Sequence, residues 1–412
     1  MKLFQMFYIQ RDFSLVAMHS IEWLSSLQKR GIKLGLERME YLLSFILPLK
    51  YKIIHVGGTN GKGSVCQYLG NILRQEGYDV GIYTSPHLER INERIVINGK
   101  EISDEELKKH AEFFMDKDVG ITFFECLTAI ALKHFNGKVD FAIMEVGLGG
   151  RYDATNVVSP MLTIITNVSK EHESFLGDDI KSIASEKAGI IKNAPVITAA
   201  KGKALGVIQK KAKERNVPII IVGRDVKWKH KSKNSFVIKG KETYEIDSPL
   251  QGIFQGENIA ISIASAELLG LSKEAIIKGI KKTKWHGRME KIGQFILDGA
   301  HNPEAIKMLR KSLKDFSYKN IYIIFGVMKD KNIEGMIDEL PPCKKIFTTM
   351  VKNERACNSK KLASMAKAIP TENVEEAIKK AMKEAGKDDI ICITGSLYVV
   401  GEARKIVKNM MG

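Results

Sequence analysis

The stretch HVGGTNGKGS, residues 55–64, decides the fold of this chain. It follows an apolar run, residues 51–56, that predicts a buried strand, and it precedes VCQYLGNILRQEG, whose apolar spacing predicts a helix. A strand, a glycine-rich loop and a helix form a phosphate-binding arrangement, because glycines let backbone N–H groups turn toward an anion at the positive end of the helix. In this loop Lys62 would reach the phosphates, and Ser64 would offer its hydroxyl to a magnesium ion.

The loop departs from the usual pattern G-x-x-x-x-G-K-[ST]. Gly63 separates Lys62 from Ser64, and Val56 stands where the pattern has its first glycine. A glycine-rich turn with an exposed lysine is therefore the alternative interpretation. However, a second apolar segment, KVDFAIMEVG, ends in Glu145, as a magnesium-anchoring strand beside a phosphate loop does. The two features together favour nucleotide binding.

Strands alternate with helices along the rest of the chain. This alternation predicts parallel sheets with right-handed βαβ connections, and the pattern restarts after residues 285–290. We predict an α/β chain in which a P-loop-type, mostly parallel sheet domain, residues 1–287, precedes a smaller Rossmann-like α/β domain, residues 288–412. The lysine-rich stretch 224–249 predicts a small antiparallel hairpin within the first domain.

Composition narrows the class of protein. The chain has 412 residues, of which 44% are hydrophobic and 27% charged, as in ordinary globular proteins. No apolar run reaches the length of a membrane span, so we expect no membrane association. The net charge of +16 favours anionic partners, but the lysines are spread along the chain, so a solvated surface is the first interpretation and polyanionic small molecules the second, and we expect no nucleic acid. Five cysteines without a C-x-x-C pair predict reduced thiols in a cytoplasmic protein.

Four further polar clusters follow predicted strands of the first domain, at the edge where open parallel sheets bind ligands. They are TSPH with Ser85, the turn after Glu145 with Arg151 and Asp153, EHESFLG with His172, and SEKAGIIK with Lys187. Each cluster alone also fits an ordinary role: a turn serine, a surface ion pair, a satisfied histidine or a lysine at a helix end. On successive strand ends of one domain, they together indicate a single site.

These motifs occur in an order that resembles a known family. The ordered set GTNGKGSV, TSPHL, NERI, FFE, EVGLGGRYDATN, H-x-x-x-LG, SEKAGIIK, GRME and DGAHNP is similar to that of folylpolyglutamate synthases, including bifunctional dihydrofolate synthases, in the Mur ligase superfamily. The resemblance runs from about Gly31 to the C-terminus. Glu171 stands where many members carry aspartate, a change that retains the acid.

The resemblance implies binding roles for the matching residues. ATP would bind to the loop Gly58, Thr59, Asn60, Gly61, Lys62, Gly63 and Ser64, and to Asn258, Arg288 and Asp298. Two magnesium ions would be held by Ser64, Ser85, Glu145, His172 and Lys187, with a carbamate on the lysine. The pteridine would lie near the turn 31–39 and beside Phe124, Glu125, Arg151, Tyr152, Asp153 and Ala154.

The implied activity is ATP-dependent ligation of L-glutamate to a folate carboxylate through an acyl phosphate. Its catalytic residues would be Lys62, Glu145, His172, Lys187 and His301, and dihydropteroate is a second implied acceptor. The implied partners are folate, L-glutamate and ATP, without nucleic acid or membrane, and we expect a monomer. Two alternatives stay open. One is a Mur-type ligase for a peptidoglycan precursor, a class that normally carries an extra N-terminal nucleotide domain; the other is a P-loop nucleic-acid ATPase.

Overall fold

The computed structural model describes residues 19–170 and 179–411, which form two α/β units. The predicted site residue His172 lies outside the described residues. Within them, no helix is both long and apolar enough to cross a membrane.

The first unit contains helices and strands in alternation. Its helices are α1 (Ser20–Ser26), α2 (Glu37–Leu43), α3 (Lys62–Gln75), α4 (Asp104–Met115), α5 (Phe123–Phe135), α6 (Ile180–Ala188), α7 (Gly202–Glu214), α8 (Gln255–Leu268) and α9 (Lys273–Lys281). Its strands are β1 (Lys52–Gly57), β2 (Val80–Tyr83), β3 (Ile95–Ile97), β4 (Lys100–Glu101), β5 (Phe141–Glu145), β6 (Leu162–Ile165), β7 (Val196–Thr198), β8 (Ile219–Ile221), β9 (Lys227–Ser232), β10 (Ser235–Lys239) and β11 (Thr243–Asp247).

Eight of these strands, as far as the chain is described, form one sheet in the order β4-β3-β2-β5-β1-β6-β7-β8. The strands from β2 to β8 in this order pair in parallel, and β3 and β4 add an antiparallel edge. Helices cover both faces because both faces of each central strand are apolar. The predicted α/β class with a mostly parallel sheet is confirmed.

Helix α3 is held against the sheet by α9. A Cβ on Gly279 of α9 would lie 2.5 Å from the Cα of Ile72, so the two helix backbones touch where glycine leaves room. This contact fixes α3, and with it the loop that precedes α3, to the rest of the unit.

The lysine-rich stretch forms a three-stranded antiparallel sheet, β11-β10-β9, one strand more than the predicted hairpin. In β9 the exposed Lys227 and Lys229 alternate with the half-buried Trp228 and His230. The lysines face solvent, and because nearly all residues of this strand are polar, the sequence shows its two-residue apolar period only weakly.

The second unit is a separate sheet covered by helices. Its elements are β12 (Glu290–Ile292), β13 (Phe295–Leu297), α10 (Pro303–Leu313), β14 (Ile321–Phe325), α11 (Ile333–Asp338), β15 (Lys345–Thr348), α12 (Ser359–Ala366), β16 (Ile369–Pro370), α13 (Val374–Glu384), β17 (Ile390–Thr394) and α14 (Leu397–Met411). The strand order is β12-β13-β17-β14-β15-β16, and only β12 pairs antiparallel among these described strands. The short strands β12 and β16 were not predicted.

A buried arginine fastens the second unit to the first. Arg404 of α14 forms ion pairs with Glu89 of the first unit and with Glu290 of β12, the latter at 2.8 Å from Nε to Oε2. Glu290 also accepts hydrogen bonds from the backbone N–H of Gly287 and from His286. Burial alone would raise the pKa of Glu290, but these donors hold it at about 2.

We expect Glu290→Gln to lower the free energy of unfolding near pH 7 by about 1–3 kcal/mol, because a charged hydrogen bond is lost. An unfolded glutamate has a pKa of about 4.3. The depressed folded pKa therefore stabilises the wild type fully above about pH 4.3, and this contribution is lost as pH falls toward about 2. The melting temperature of Glu290→Gln should therefore fall less steeply than that of the wild type as pH decreases. The control Glu372→Gln, at an exposed glutamate, should follow the wild type. Identical acid profiles for wild type and Glu290→Gln would contradict the assignment.

Candidate active site

A cavity of about 540 Å³ lies between the two units and is lined by residues of both. Its lining includes residues at or just beyond the ends of β1, β2, β5 and β6 in the first sheet and of β13, β14 and β17 in the second. Open parallel sheets bind ligands at the carboxyl ends of their strands. The cavity therefore stands at the binding edge of both sheets.

The cavity brings together most of the residues that the sequence nominated. The predicted site residues that line it, within the described part of the chain, are Gly58, Thr59, Asn60, Gly61, Lys62, Gly63, Ser64, Ser85, Phe124, Glu125, Glu145, Tyr152, Asp153, Ala154, Lys187, Asn258, Arg288, Asp298 and His301.

Arg151 is the described candidate that the cavity lining does not include. Its Nε lies 3.6 Å from Oε1 of Glu186, and its Nη2 donates to Oγ of Ser185 at 3.1 Å. A Cβ on Gly189 would lie 2.5 Å from that of Arg151, so the turn packs directly on the end of α6. Arg151 thus ties its turn to the helix that carries Lys187, instead of lining the cavity as predicted.

Two glycines of the phosphate loop are required by conformation. Gly58 and Gly61 have φ angles of +131° and +84°, which favour glycine. A Cβ on Gly58 would lie 2.0 Å from Oγ1 of Thr166, and one on Gly61 would lie 2.2 Å from Oδ1 of Asn258. The loop is thus enclosed by the end of β6 and the start of α8.

The same loop is held by hydrogen bonds beyond the end of β6. Thr166 donates from Oγ1 to the carbonyl of Asn60 at 2.7 Å, and the N–H of Asn60 donates to Oδ1 of Asn167 at 2.9 Å. These bonds fix the loop before any anion binds, so little ordering is left to occur on binding.

Two lysines converge on one carbonyl of the loop. Lys62 donates from Nζ to the carbonyl oxygens of Gly58 and Thr59, each at 3.1 Å. Lys187 is 1% exposed and donates from Nζ to the same oxygen of Gly58 at 3.0 Å. Positive charge is therefore concentrated beside the phosphate-binding backbone.

Glu145 ends β5 and is 4% exposed. Its Oε2 accepts a hydrogen bond from the backbone N–H of Ser85 at 2.9 Å. Burial raises the pKa of Glu145 above its ordinary value, although Lys62, Arg288 and the Ser85 N–H oppose this shift. A buried carboxylate among cations is suited to bind a metal ion or to balance transferring phosphate.

The residues that share the cavity with Glu145 suit a magnesium ion. Ser64 and Ser85 both line the cavity with it, and each carries a hydroxyl. Magnesium typically binds through one or two carboxylates together with waters and substrate phosphates, rather than an all-protein cage. Consistent with this, residues 19–170 and 179–411 contain no group of three or more His, Cys, Asp or Glu side chains arranged to hold a metal.

The second unit supplies a cation and an anchoring acid. Asp298, directly after β13, accepts from the N–H groups of Met289 and Ala300, both at 2.9 Å, and burial raises its pKa. It thereby holds the turn that carries Arg288. His301 donates from Nδ1 to the carbonyl of Gly299 at 2.8 Å, since a carbonyl only accepts.

Part of the cavity lining is apolar. It includes Ile32 and Leu34, each more than half exposed, together with Phe124 and Tyr152. Exposed aliphatic and aromatic side chains within a cavity are suited to a flat aromatic ligand.

Glu125 and Asp153, two of the predicted contact residues that line the cavity, also have structural roles. Glu125 forms an ion pair with Arg38 at 2.9 Å and caps α5 through the N–H of Thr122. The Asp153 carboxylate accepts from the N–H groups of Gly147 and Leu148. Each carboxylate therefore shapes the cavity wall, whether or not it touches a ligand.

Three residues near the site were missed by sequence reasoning. Arg94, in the NERI motif, is 7% exposed, lines the cavity and donates from Nε to Nδ1 of His87 at 2.9 Å. Asn302, in the DGAHNP motif, donates to Oδ1 of Asn60 at 3.0 Å and links the second unit to the phosphate loop. Arg38 pairs with Glu125. The first two stand in motifs already quoted, and Arg38 lies within residues 31–39, which the resemblance placed near the pteridine; position in these segments was the available signal.

Known proteins match most of this chain. The family described as Mur ligase middle domain matches residues 56–266, and that described as Mur ligase, glutamate ligase domain matches residues 287–397. The dihydrofolate synthase/folylpolyglutamate synthase of Bacillus subtilis is 36% identical over 94% of this chain and 98% of its own length.

Solved structures agree with these sequence matches. E. coli FolC in complex with DHPP and ADP superposes with a TM-score of 0.88 at 28% identity, covering 96% of this chain and 99% of that one. A bifunctional folylpolyglutamate synthase/dihydrofolate synthase with Mn, AMPPNP and L-glutamate bound gives 0.86 at 30% identity, covering 95% and 98%. The chain therefore belongs to the dihydrofolate synthase/folylpolyglutamate synthase family of Mur ligases.

Proposed function

We propose that this chain is an ATP-dependent amide-bond ligase that joins L-glutamate to the carboxylate of a folate. The observation that carries the proposal is the single cavity in which the phosphate loop, buried Glu145 and the Arg288 turn of the second unit meet. The relatives named above, some solved with nucleotide, manganese and L-glutamate, support it.

A carboxylate is a poor acyl donor, so the reaction requires activation. A carboxylate oxygen of the folate attacks the γ-phosphorus of ATP, ADP leaves, and an acyl phosphate forms. The amine of glutamate then attacks the acyl carbon, and phosphate departs with the activated oxygen. Catalysis of this kind depends on positioning and charge neutralisation more than on a protein nucleophile. Lys62 from the first unit and Arg288 from the second both line the cavity and supply it with positive charge.

Magnesium would be held by Ser64, Ser85 and Glu145, with His172 and a carbamate on Lys187 as further ligands. When bound, it neutralises phosphate charge and orients the reacting oxygens. The carbamate proposal rests on charge: Lys62 and Lys187 reach the same carbonyl, and two ammonium groups so close disfavour each other. The neutral amine of Lys187 would add to carbon dioxide, forming an N–C bond and releasing one proton to solvent, and the resulting carbamate would be an anion beside the phosphate loop.

The remaining assignments are also proposals. The apolar end of the cavity, with Phe124 and Tyr152, would take the pteridine, and dihydropteroate would serve as a second acceptor, as the names of the relatives suggest. We place the domain boundary at residue 287, since the two family matches leave only residues 267–286 between them. The five free cysteines fit a cytoplasmic location, and we further propose that the protein is a monomer.

We expect Glu145→Gln to lower kcat about 10²–10³-fold while leaving the melting temperature equal or slightly higher, because an expensive buried charge is removed. The raised pKa of Glu145 also predicts that wild-type activity falls as pH decreases through that pKa, because the protonated acid loses its charge. Steady-state rates at saturating magnesium and a thermal melt would measure both effects. Unfolding of Glu145→Gln at room temperature would instead make the residue structural.

The proposed function is tested by incorporation of labelled L-glutamate with dihydropteroate and tetrahydrofolate offered separately. We expect ATP-dependent incorporation with at least one acceptor and equal release of ADP. A peptidoglycan-precursor ligase would use neither acceptor, and a nucleic-acid ATPase would hydrolyse ATP faster with DNA or RNA and ignore both folate and glutamate. Either of these patterns would overturn the proposal.

A further inference from the structure

Gly63 is the residue that makes this phosphate loop unusual, and its backbone does not require glycine. It lies in the first turn of α3 with an ordinary negative φ, where alanine is favoured over glycine by about 0.5–1 kcal/mol. A Cβ at this position would, however, lie 2.8 Å from Cζ2 and 3.2 Å from Cε2 of Trp285. The glycine is therefore required by the indole ring that rests on it.

Trp285 holds this place by contact alone. Its ring packs against the apolar cluster around α3 and α9, and its buried Nε1–H has no hydrogen-bond acceptor among the described parts of the chain. An unpaired buried donor costs about 1–3 kcal/mol, so packing must offset that cost.

Trp285 also begins the segment that carries Arg288. In this segment Gly287 and Met289 have positive φ angles of +68° and +50°, so its path is sharply bent. The N–H of Gly287 donates to Glu290, which Arg404 binds in turn. Segment 285–290 is thus fastened at its start to the phosphate loop and at its end to α14.

Arg288 lies between these two attachments and faces the cavity. Its Nη1 is 2.4 Å from where a Cβ of Gly299 would stand, so the guanidinium crosses that glycine. The position of this guanidinium therefore depends on the backbone conformation of segment 285–290. Because misplacement by about 1 Å can cost 10²-fold in rate, the attachment at Trp285 bears on catalysis.

We propose that Trp285 is a positioning residue, whose ring on Gly63 sets the place of Arg288 relative to the phosphate loop. The inference rests on the proposed role of Arg288 in nucleotide binding. Trp285 itself does not line the cavity and acts through its two neighbours.

The test is a double-mutant cycle of Trp285→Ala with Arg288→Lys. In the wild type, we expect Trp285→Ala to lower kcat about 10–100-fold and to weaken ADP binding. In the Arg288→Lys background, the same substitution should change kcat and ADP affinity by less than about threefold, because the two residues act as one unit. Calorimetric titration with ADP completes the cycle where turnover is too slow to measure. Equal losses in both backgrounds would overturn the proposal.

Two further variants separate positioning from stability. Gly63→Ala should lower the melting temperature in the wild type but not in Trp285→Ala, where the Cβ has room. Trp285→Phe keeps a ring and loses the unpaired N–H, so it should retain kcat within about threefold. Trp23→Phe is the matched control: it removes a buried indole that is not part of the cavity lining, and should affect the melting temperature without altering ADP affinity. Destabilisation by Gly63→Ala in both backgrounds would exclude the contact.

Failure of this inference differs from failure of the proposed function. ADP affinity and melting temperature do not require glutamate ligation, so the cycle gives its result even if neither folate accepts glutamate. Conversely, a normal ligase with an additive cycle would keep the proposed function and remove the role of Trp285.

Discussion

Lys62→Ala is expected to reduce ATP-dependent glutamate incorporation by at least about 10³-fold, because the ammonium that meets the transferring phosphate is lost. Within residues 19–170 and 179–411 the side chain hydrogen-bonds only to carbonyls of its own loop, Gly58 and Thr59, so its removal should change the melting temperature little. Initial rates at saturating ATP, folate and glutamate, with a thermal melt of the same preparation, would measure both.

Lys109→Ala is a suitable control for this variant, because Lys109 is exposed on α4, away from the cavity. It should leave both the rate and the melt unchanged. Near-normal turnover by Lys62→Ala would mean that the loop does not handle the reacting phosphate, and the nucleotide site would have to be sought elsewhere.

Lys187→Ala is expected to be nearly inactive, with a loss of at least about 10²-fold, since a ligand of the bound metal disappears. Short carboxylic acids added to this variant should partly restore activity by occupying the vacated position, whereas alkylamines should not. Lys187→Met keeps most of the buried volume and should fold normally while remaining inactive.

The chemical state of Lys187 can be read separately from activity. Labelled carbon dioxide should enter the wild type at one lysine and be absent from Lys187→Met at neutral pH. Rescue by amines rather than acids, or no label in the wild type, would leave Lys187 as an ammonium that donates to Gly58.

Local sequence patterns predicted the central part of the fold. The apolar run before the loop became β1, the periodic segment after it became α3, and Glu145 stands at the end of β5 as expected. These elements are strongly apolar or strongly periodic, so the local pattern of apolar residues is enough to predict whether each is a strand or a helix. The short strands β12 and β16 carry no such period and were missed, whereas the equally short β7 and β13 lie in the apolar runs PVITAA and QFILDG and were predicted.

The site was predicted less completely because it depends on distant contacts. The extra glycine at position 63 was visible as a departure from a motif, but its cause, the ring of Trp285, lies in another part of the chain. Likewise Arg151 lies in the predicted turn, but it packs on Gly189 and contacts Glu186 at the end of α6. It therefore does not line the cavity. The role of His172, outside the described residues, stays a prediction.

The central claim is that ATP activates a folate carboxylate, and the path of one oxygen tests it most directly. Folate labelled with ¹⁸O in its reacting carboxylate should be turned over with ATP and L-glutamate, and the released phosphate analysed by mass spectrometry. Transfer through an acyl phosphate predicts that each phosphate carries one oxygen from the carboxylate. Phosphate free of label, with glutamate still incorporated or ATP merely hydrolysed, would contradict the account.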